Sequence, residues 1–119
     1  MAVGVTWFEV MGRDGSALQR FYSELFGWQL NVVPDYEYGM VENVDRGIGG
    51  GIGRAQQGDG YVTVYAEVDD PQAYLDKAEQ LDGRTVVPVT DMGMVTFALF
   101  TDPEGHLFGL AKSSAGGET

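Results

Sequence analysis

An internal duplication is the feature that most constrains what this chain can fold into. Two segments rich in β-branched and aromatic residues, at 3–10 and 61–68, are each followed by a capped helical pattern. The helical patterns end before Gly27 and Gly83, and the two halves keep nearly the same register along the chain. The sequence therefore predicts two copies of one module.

The two helices are defined by apolar spacing and by their ends. Helix one is predicted over residues 16–26 and helix two from Asp70, which is suited to an N-cap, with Pro71 at the first helical position. The apolar side chains recur at three- and four-residue spacing, at Leu18, Phe21, Tyr22 and Leu25 in the first helix and at Tyr74, Leu75, Ala78 and Leu81 in the second.

Extended segments broken by turns follow each helix, so that both halves have the order βαβββ. The predicted strands are residues 28–33, 36–41 and 48–54 in the first half and 84–87, 94–100 and 107–111 in the second. We expect one domain of residues 1–112, with module one at 1–56, module two at 60–112 and a flexible tail at 113–119. The glycines of 47–53 lack the Lys-Ser/Thr of a phosphate loop and predict a thin, closely approached strand.

Composition excludes several classes of protein. The 119 residues carry a net charge of −11 without a basic patch, which disfavours binding to nucleic acid or to an anionic membrane. The absence of cysteine removes thiolate metal sites, thiol catalysis and disulfides. No apolar run is long enough to span a membrane and the first residues do not resemble a signal peptide, so we expect a cytoplasmic protein.

Alternation along the first strand of each half assigns the two faces of the predicted sheet. Helices should cover the uniformly apolar face, which comprises Val62, Val64, Ala66 and Val68 in the second half. The open face then carries Trp7 and Glu9 in the first half and Thr63, Tyr65 and Glu67 in the second, with Tyr38, Met40 and Phe97 as further candidates. Such a surface is typical of a small-molecule site, although these aromatic residues would equally fill a contact between modules or subunits.

Four segments in this order resemble the vicinal oxygen chelate superfamily, which includes glyoxalases, bleomycin-resistance proteins and extradiol dioxygenases. They are VTWFEV, LQRFYSELFGW, VYAEVDDPQAYLDKAEQLDGRTVVP and FALFTDPEGHLFGL, and they extend over nearly the whole chain. The resemblance implies an α+β fold in which two βαβββ modules form a cupped mixed sheet around a ligand site, with helices on the outer face. It also implies a homodimer.

The resemblance further implies metal-ligand positions, but this chain does not fill them with ligands. Metal-dependent members carry His or Glu where Trp7 and Thr63 stand, and Glu where Gly109 stands; the matching stretch of the first half holds Gly50 and Gly51. Glu9 and Glu67 alone would bind a cation weakly, and His106 is expected to cap a turn. We therefore predict no metal and no cofactor.

The resulting prediction is a metal-independent protein that sequesters an aromatic antibiotic or natural product, and is not an enzyme. The residues predicted to bind the ligand are Trp7, Glu9, Tyr38, Met40, Gly51, Thr63, Tyr65, Phe97 and Gly109. One alternative is a metal-independent tailoring enzyme, hydroxylase-like or cyclase-like, with Glu9 or Glu67 as the general base. Another is a purely structural dimer whose own side chains fill the cup.

Overall fold

The computed structural model describes residues 2–42, 44–56 and 58–113 of the chain. These residues divide into two compact units. One unit is Thr6–Thr63, and the other combines the described parts of Met1–Val5 and Val64–Thr119. We call them the first and the second unit. Most of the predicted tail, residues 114–119, lies outside the described residues.

The first unit contains the elements of the first βαβββ sequence. They are β1 (Val5–Gly12, of which Val5 belongs to the second unit), α1 (Gly15–Phe26), β2 (Leu30–Val33), a 3-10 turn (Pro34–Tyr36), β3 (Tyr38–Val41) and β4 (Gly49–Arg54). The strands lie in the order β2-β3-β4-β1, with β1 parallel to β4 and the other neighbours antiparallel. The sheet of this unit is therefore mixed.

The second unit repeats this arrangement. It contains most of β5 (Gly60–Val68), whose first residues Gly60–Thr63 belong to the first unit, and α2 (Pro71–Gln80), β6 (Arg84–Asp91), β7 (Thr96–Thr101) and β8 (Leu107–Lys112). Its strands lie in the order β5-β8-β7-β6, with β5 parallel to β8 and the remaining pairs antiparallel. The predicted duplication of βαβββ is thus confirmed at the level of elements and pairing.

Both helices begin as their sequences predict. The Asp14 carboxylate accepts a hydrogen bond of 3.0 Å from the Ala17 amide, and the Asp70 carboxylate accepts one of 3.3 Å from the Ala73 amide. Gly27 ends α1 with φ of 74°, a left-handed conformation that glycine adopts without steric cost. Among the helices that the described residues form, none is long and apolar enough to cross a membrane.

The helix of the second unit packs on an apolar core. Leu75 of α2 packs with four buried side chains of the sheet, namely Ala66, Val68, Ala98 and Leu110. Alternation correctly predicted the burial of Ala66 and Val68. It was wrong for Val62, which is 70% exposed, and Val64 is only half-buried.

Several strand boundaries differ from the predicted ones. Residues 34–36 form a 3-10 turn before β3, so the predicted strand 36–41 begins only at Tyr38. Strand β6 continues to Asp91 rather than ending at Val87, and its pairing with β7 shifts register at two places along its length. Pro88 lies within β6, and a strand at the edge of a sheet tolerates proline.

Candidate functional site

One face of the first unit's sheet is free of the helix. On the other face, a Cβ added at Gly39 would meet the side chain of Gln19, and one added at Gly12 would meet Leu18, so α1 lies on that side. Alternation places Trp7, Glu9, Tyr38 and Met40 on the opposite side of the sheet, together with the β4 glycines Gly49, Gly51 and Gly53. We call this side the open face of the first unit.

Glycine in β4 makes room for two aromatic rings. Strand β4 lies between β3, which carries Tyr38, and β1, which carries Trp7 and Glu9. A Cβ at Gly51 would overlap the phenol of Tyr38, and one at Gly49 would come within 3.2 Å of the Trp7 indole. Because adjacent strands are about 4.8 Å apart, Tyr38 reaches β1 only by crossing β4 directly above its backbone. The thin, closely approached strand predicted from the glycines is therefore confirmed, and two aromatic rings lie directly against its backbone.

A chain of hydrogen bonds connects these rings to a carboxylate. The Trp7 indole Nε1 donates to the Tyr38 hydroxyl at 2.9 Å, and the Tyr38 hydroxyl donates to Glu9 Oε2 at 2.8 Å. The hydroxyl of Tyr61 donates to the other oxygen of Glu9, Oε1, at 3.2 Å. All four side chains belong to the first unit, and together we call them the Glu9 network.

Burial makes these hydrogen bonds strong and their loss costly. Glu9 is only 8% exposed, and a carboxylate that is buried to this extent must be hydrogen-bonded. Burial raises the pKa of Tyr38 far above its usual value, and the neighbouring Glu9 charge raises it further, whereas the hydrogen bond from Trp7 opposes the rise. The Tyr38 hydroxyl therefore keeps its proton and remains a donor to Glu9.

Two more predicted ligand-binding residues lie in the first unit. Met40 is paired with Gly51 across the β3–β4 ladder, which places it on the open face, and it is half-buried. Thr63, on β5, is 5% exposed. The structure thus brings Trp7, Glu9 and Tyr38 into direct contact and places Met40 on the same face.

The other three predicted residues belong to the second unit. Tyr65 is buried and its ring lies over Gly109, where an added Cβ would overlap it. Tyr65 and Gly109 are paired in the parallel ladder of β5 and β8. Phe97 is half-buried and pairs with Ala111, which places it on the same face of that sheet as Tyr65. A tyrosine over a glycine thus occurs in both units.

Tyr61 is a member of the Glu9 network that the sequence-based prediction omitted. The signal for it was present, because Tyr61 lies two residues before Thr63 and so has the same parity as the predicted residues of β5. Tyr61 and Glu9 are more than fifty residues apart in the sequence, and no local sequence pattern indicates that their side chains are in contact.

The donor atoms present do not fit the divalent cation of the superfamily's metal-dependent members. An indole stands at Trp7 and bare backbone at Gly109, and the two oxygens of Glu9 already accept hydrogen bonds from Tyr38 and Tyr61. Over the described residues, no group of three or more His, Asp or Glu side chains could hold a metal ion. The arrangement supplies hydrogen-bonded aromatic surface instead.

His106, the single histidine of the chain, lies in the second unit, in the turn before β8. Asp102 Oδ1 accepts hydrogen bonds of 2.9 Å from the amides of Glu104 and His106, and Asp102 Oδ2 lies 3.1 Å from His106 Nδ1. The amide of His106, followed by the other bonds of this turn, holds the pKa of Asp102 below its usual value. The side chain that caps this turn is therefore that of Asp102, and the predicted role of His106 is limited to its contact with that carboxylate.

Cavities also occur among the described residues of each unit. One of about 480 Å³ in the first unit lies beside the start of α1, where its lining includes Arg13, Leu18 and Tyr61. One of about 280 Å³ in the second unit lies between α2 and the turn before β8, where Tyr74 and Phe100 line it. Neither is lined by a residue predicted to bind the ligand.

Two βαβββ units, the first of which has an aromatic open face, define a protein of the glyoxalase/bleomycin-resistance fold. The chain belongs to the Glyoxalase-like domain family, whose sequence profile matches residues 8–111, and through it to the vicinal oxygen chelate superfamily. The α+β fold class predicted from the sequence is thereby confirmed.

Known relatives and a solved structure agree with this assignment. The chain is 28% identical to the anthracycline biosynthesis protein DnrV of Streptomyces peucetius over 86% of its own length, and 29% identical to CFP32 of Mycobacterium bovis over 91%. It spans only 44% and 45% of the length of these two relatives. The solved structure of a glyoxalase/bleomycin resistance protein/dioxygenase superfamily member from Vibrio splendidus superposes on the chain with a TM-score of 0.63 and 19% sequence identity. The match covers 94% of this chain and 100% of the Vibrio splendidus chain.

Proposed function

We propose that this protein binds a flat aromatic natural product or antibiotic without a metal ion and sequesters it. The observation that carries the proposal is the Glu9 network, in which hydrogen bonds hold the Trp7 and Tyr38 rings in place above a glycine strand. Rings that are already ordered lose little conformational entropy when a ligand stacks on them. A surface of this kind favours binding through burial and stacking.

The free energy of such stacking contacts is sufficient for a micromolar dissociation constant. An aromatic pair contributes about 0.5–1.5 kcal/mol beyond the area that it buries. Two or three ring contacts together with burial of a polycyclic ligand reach micromolar dissociation constants, which correspond to about −8 kcal/mol. The proposed site on the first unit consists of Trp7, Glu9, Tyr38, Met40, Gly51 and Thr63, with Tyr61 added. The predicted residues of the second unit, Tyr65, Phe97 and Gly109, remain predictions.

The chemical class of the ligand is suggested by a relative. DnrV is named as an anthracycline biosynthesis protein, and anthracyclines have flat polycyclic ring systems. The acidic chain, with a net charge of −11, favours a cationic or neutral ligand over an anionic one. We propose a ligand of this kind, and a cytoplasmic homodimer without nucleic acid or membrane partners.

The name of DnrV, an anthracycline biosynthesis protein, also favours one rival function for this chain. That function is a metal-independent tailoring enzyme with Glu9 or Glu67 as its general base. Two hydrogen bonds weigh against Glu9, since each of its oxygens already accepts a hydrogen bond from a tyrosine hydroxyl. Glu67 is half-buried on β5 of the second unit and remains the better candidate of the two. We place sequestration first because the Glu9 carboxylate already binds the Tyr38 and Tyr61 hydroxyls and so has a structural role in ordering the open face.

Fluorescence titration tests the proposal. The chain has two tryptophans, so the Trp28→Phe variant leaves Trp7 as the sole reporter on the open face. Titrating it with a panel of anthracyclines and other polycyclic aromatic compounds should quench Trp7 with micromolar or tighter dissociation constants. A reciprocal Trp7→Phe variant, studied by calorimetry, should bind the same compound about ten-fold more weakly.

Turnover separates the two functions. Glu9→Gln and Glu67→Gln should retain binding within a few-fold if the protein sequesters its ligand, and mass spectrometry should recover the compound unchanged. An enzyme would convert the compound and lose that conversion by orders of magnitude in one of the two variants. Failure of every compound in the panel to quench Trp7 or to give a calorimetric signal would refute the proposed site.

A further inference from the structure

The residue immediately before Tyr38 has a backbone conformation that few residue types adopt. Glu37 has φ of 51° and ψ of 39°, in the left-handed region, where a residue with a Cβ is less stable than glycine. Among the described residues, one other non-glycine residue has a positive φ, namely Asp82 of the second unit. Such conformations persist only where the surrounding structure holds them, and they occur most often at functional sites.

Three contacts hold Glu37 in this conformation. Its amide donates a hydrogen bond of 3.3 Å to the Pro34 carbonyl, which closes the 3-10 turn. Its carbonyl oxygen accepts a hydrogen bond of 3.0 Å from the side-chain amide of Gln19 on α1. Its carboxylate lies 3.5 Å from the Arg54 guanidinium, but both groups are exposed, and an ion pair of this kind contributes little. The two backbone contacts therefore do most of the holding.

Gln19 connects helix α1 to the backbone at two places. Its Nε2 donates to the Glu37 carbonyl and also, at 2.9 Å, to the carbonyl of Ile52 in β4. A primary amide has two such protons, so both are used. A Cβ at Gly39 would come within 3.2 Å of the Gln19 side chain, which therefore lies directly against β3 on the helix side of the sheet.

The conformation of Glu37 determines where Tyr38 begins its path across β4. Gly53 is paired with Tyr38, and a Cβ at Gly53 would lie 2.8 Å from the Glu37 carbonyl oxygen and 3.1 Å from Tyr38 Cα. The backbone therefore runs closely against β4 at this point. A change in the Glu37 backbone would turn that of Tyr38, and the displacement is largest at the hydroxyl, the atom farthest from the backbone. Hydrogen bonds weaken steeply when their geometry is disturbed.

We propose that Gln19 is a positioning residue for the aromatic surface of the open face. By holding Glu37 in the left-handed conformation, it directs the Tyr38 phenol across β4 into the Glu9 network. Gln19 acts from the helix side of the sheet and is not part of the ligand-binding surface itself. Its importance for ligand binding rests on the proposed function, because rings that are already ordered lose less conformational entropy when a flat ligand stacks on them.

Solvent exchange of the Trp7 indole proton tests this role without a ligand, because that proton is donated to the Tyr38 hydroxyl. Nitrogen-15 NMR resolves it from the indole proton of Trp28, the other tryptophan of the chain. Gln19→Met keeps an unbranched side chain of similar length but removes both donors. It should raise the exchange rate of the Trp7 indole proton about five- to thirty-fold. The rate at Trp28 should change by less than about two-fold.

Ser23→Ala is the matched control. It removes another hydrogen bond from α1 to the backbone, the one of 2.8 Å from Ser23 Oγ to the Trp28 carbonyl. The exchange rate of the Trp7 indole proton should stay within about two-fold of the wild-type rate in this variant. Exchange measured at several low urea concentrations separates local opening from global unfolding, because only global unfolding depends strongly on urea. The effect of Gln19→Met should be nearly independent of urea.

Two substitutions of Glu37 test the left-handed conformation itself. Both remove the carboxylate that lies near Arg54, so the difference between them reports on the backbone. Glycine adopts a positive φ without steric cost, whereas a β-branched valine is strongly disfavoured there. Glu37→Gly should leave the exchange rate of the Trp7 indole proton within about three-fold of the wild-type rate, and Glu37→Val should raise it at least about ten-fold.

The outcomes separate this role from ligand binding and from general stability. Equal Trp7 exchange rates in Gln19→Met and Ser23→Ala would overturn the positioning role, and so would equal rates in the two Glu37 variants. A strong urea dependence of the Gln19→Met effect would show that Gln19 only stabilises the fold, which would also overturn it. Variants that behave as expected in a protein that binds no aromatic compound would support the positioning role and refute only the ligand.

Discussion

The Tyr38 hydroxyl lies 2.8 Å from Glu9 Oε2, on the far side of strand β4 from its own backbone. The same hydroxyl accepts the indole proton of Trp7, so one phenol joins β3 to two positions on β1. Gly51 lies beneath it. The contact between Tyr38 and Glu9 therefore depends on Gly51, which contributes no side chain. Substitution of Gly51 tests this dependence.

Gly51→Ala should destabilise the protein by about 1–3 kcal/mol, because the added methyl overlaps the Tyr38 phenol and forces it off Glu9. The free energy of unfolding from urea titration measures the change. Gly4→Ala is the matched control, since nothing lies within 4 Å of a Cβ at that position and the change should stay within about 0.5 kcal/mol. Equal effects of the two substitutions would contradict the proposed role of Gly51.

Gly109→Ala should also destabilise the protein by about 1–3 kcal/mol, because a Cβ there overlaps the ring of the buried Tyr65. Combining it with Tyr65→Leu, whose smaller side chain leaves space, should cost less than the sum of the two single changes. Strict additivity in this double-mutant cycle, again from urea titration, would show that the ring and the glycine do not interact.

Tyr38→Phe should cost about 1–3 kcal/mol, because it removes the acceptor for Trp7 Nε1 and one donor to the buried Glu9. Tyr36→Phe provides the control, since Tyr36 is an exposed tyrosine in the adjacent 3-10 turn. Thermal and urea unfolding of both variants check this prediction. If the two substitutions are equally mild, the Glu9 network contributes little to stability.

The alkaline limb of stability should depend on Tyr38. Burial raises the pKa of Tyr38 in the folded state above the usual tyrosine value of 10.0, so the unfolded chain loses this proton first as the pH rises. The stabilisation is therefore complete below pH 10.0 and declines above it. In urea titrations at increasing pH, the wild type should lose more stability above this value than Tyr38→Phe does. Parallel curves would contradict the raised pKa.

The acid limb should depend in part on Asp102. Hydrogen bonds from the His106 amide and its neighbours hold the pKa of Asp102 below 3.8, so the folded state favours the ionised carboxylate. Its contribution is present above pH 3.8 and declines as the pH falls through the lowered pKa. Asp102→Asn should therefore unfold more easily than the wild type near neutral pH, and the difference should narrow in acid. A difference that persists unchanged at low pH would argue against this turn as its source.

Much of the architecture follows from local signals. Apolar spacing, Asp14 and Asp70 as helix caps and the left-handed Gly27 predict both helices within a residue or two. The repeated order predicts βαβββ twice, because each element has its own periodicity. The strand boundaries were less certain, since the 3-10 turn at 34–36 and the register shifts of β6 depend on how neighbouring strands pair.

The composition of the site was also partly predictable. The alternation of side chains along β1 predicted that Trp7 and Glu9 lie on the face away from the helix. The run of glycines predicted a strand that other groups approach closely. The participation of Tyr61 was not predicted, and neither was the hydrogen-bond order from Trp7 through Tyr38 to Glu9. Side-chain hydrogen bonds between strands distant in sequence depend on register and rotamer.

By itself, then, the sequence determined the duplicated module, the helix ends and most of the strand faces, because each follows from short-range spacing or residue type. Tertiary structure alone decided that Tyr38 crosses β4 to reach Glu9, that Tyr61 completes the pair of donors, and that Phe21 and Leu25 point outward from α1. The physical reason is that these contacts and exposures depend on the positions of several strands at once, which local propensity does not encode.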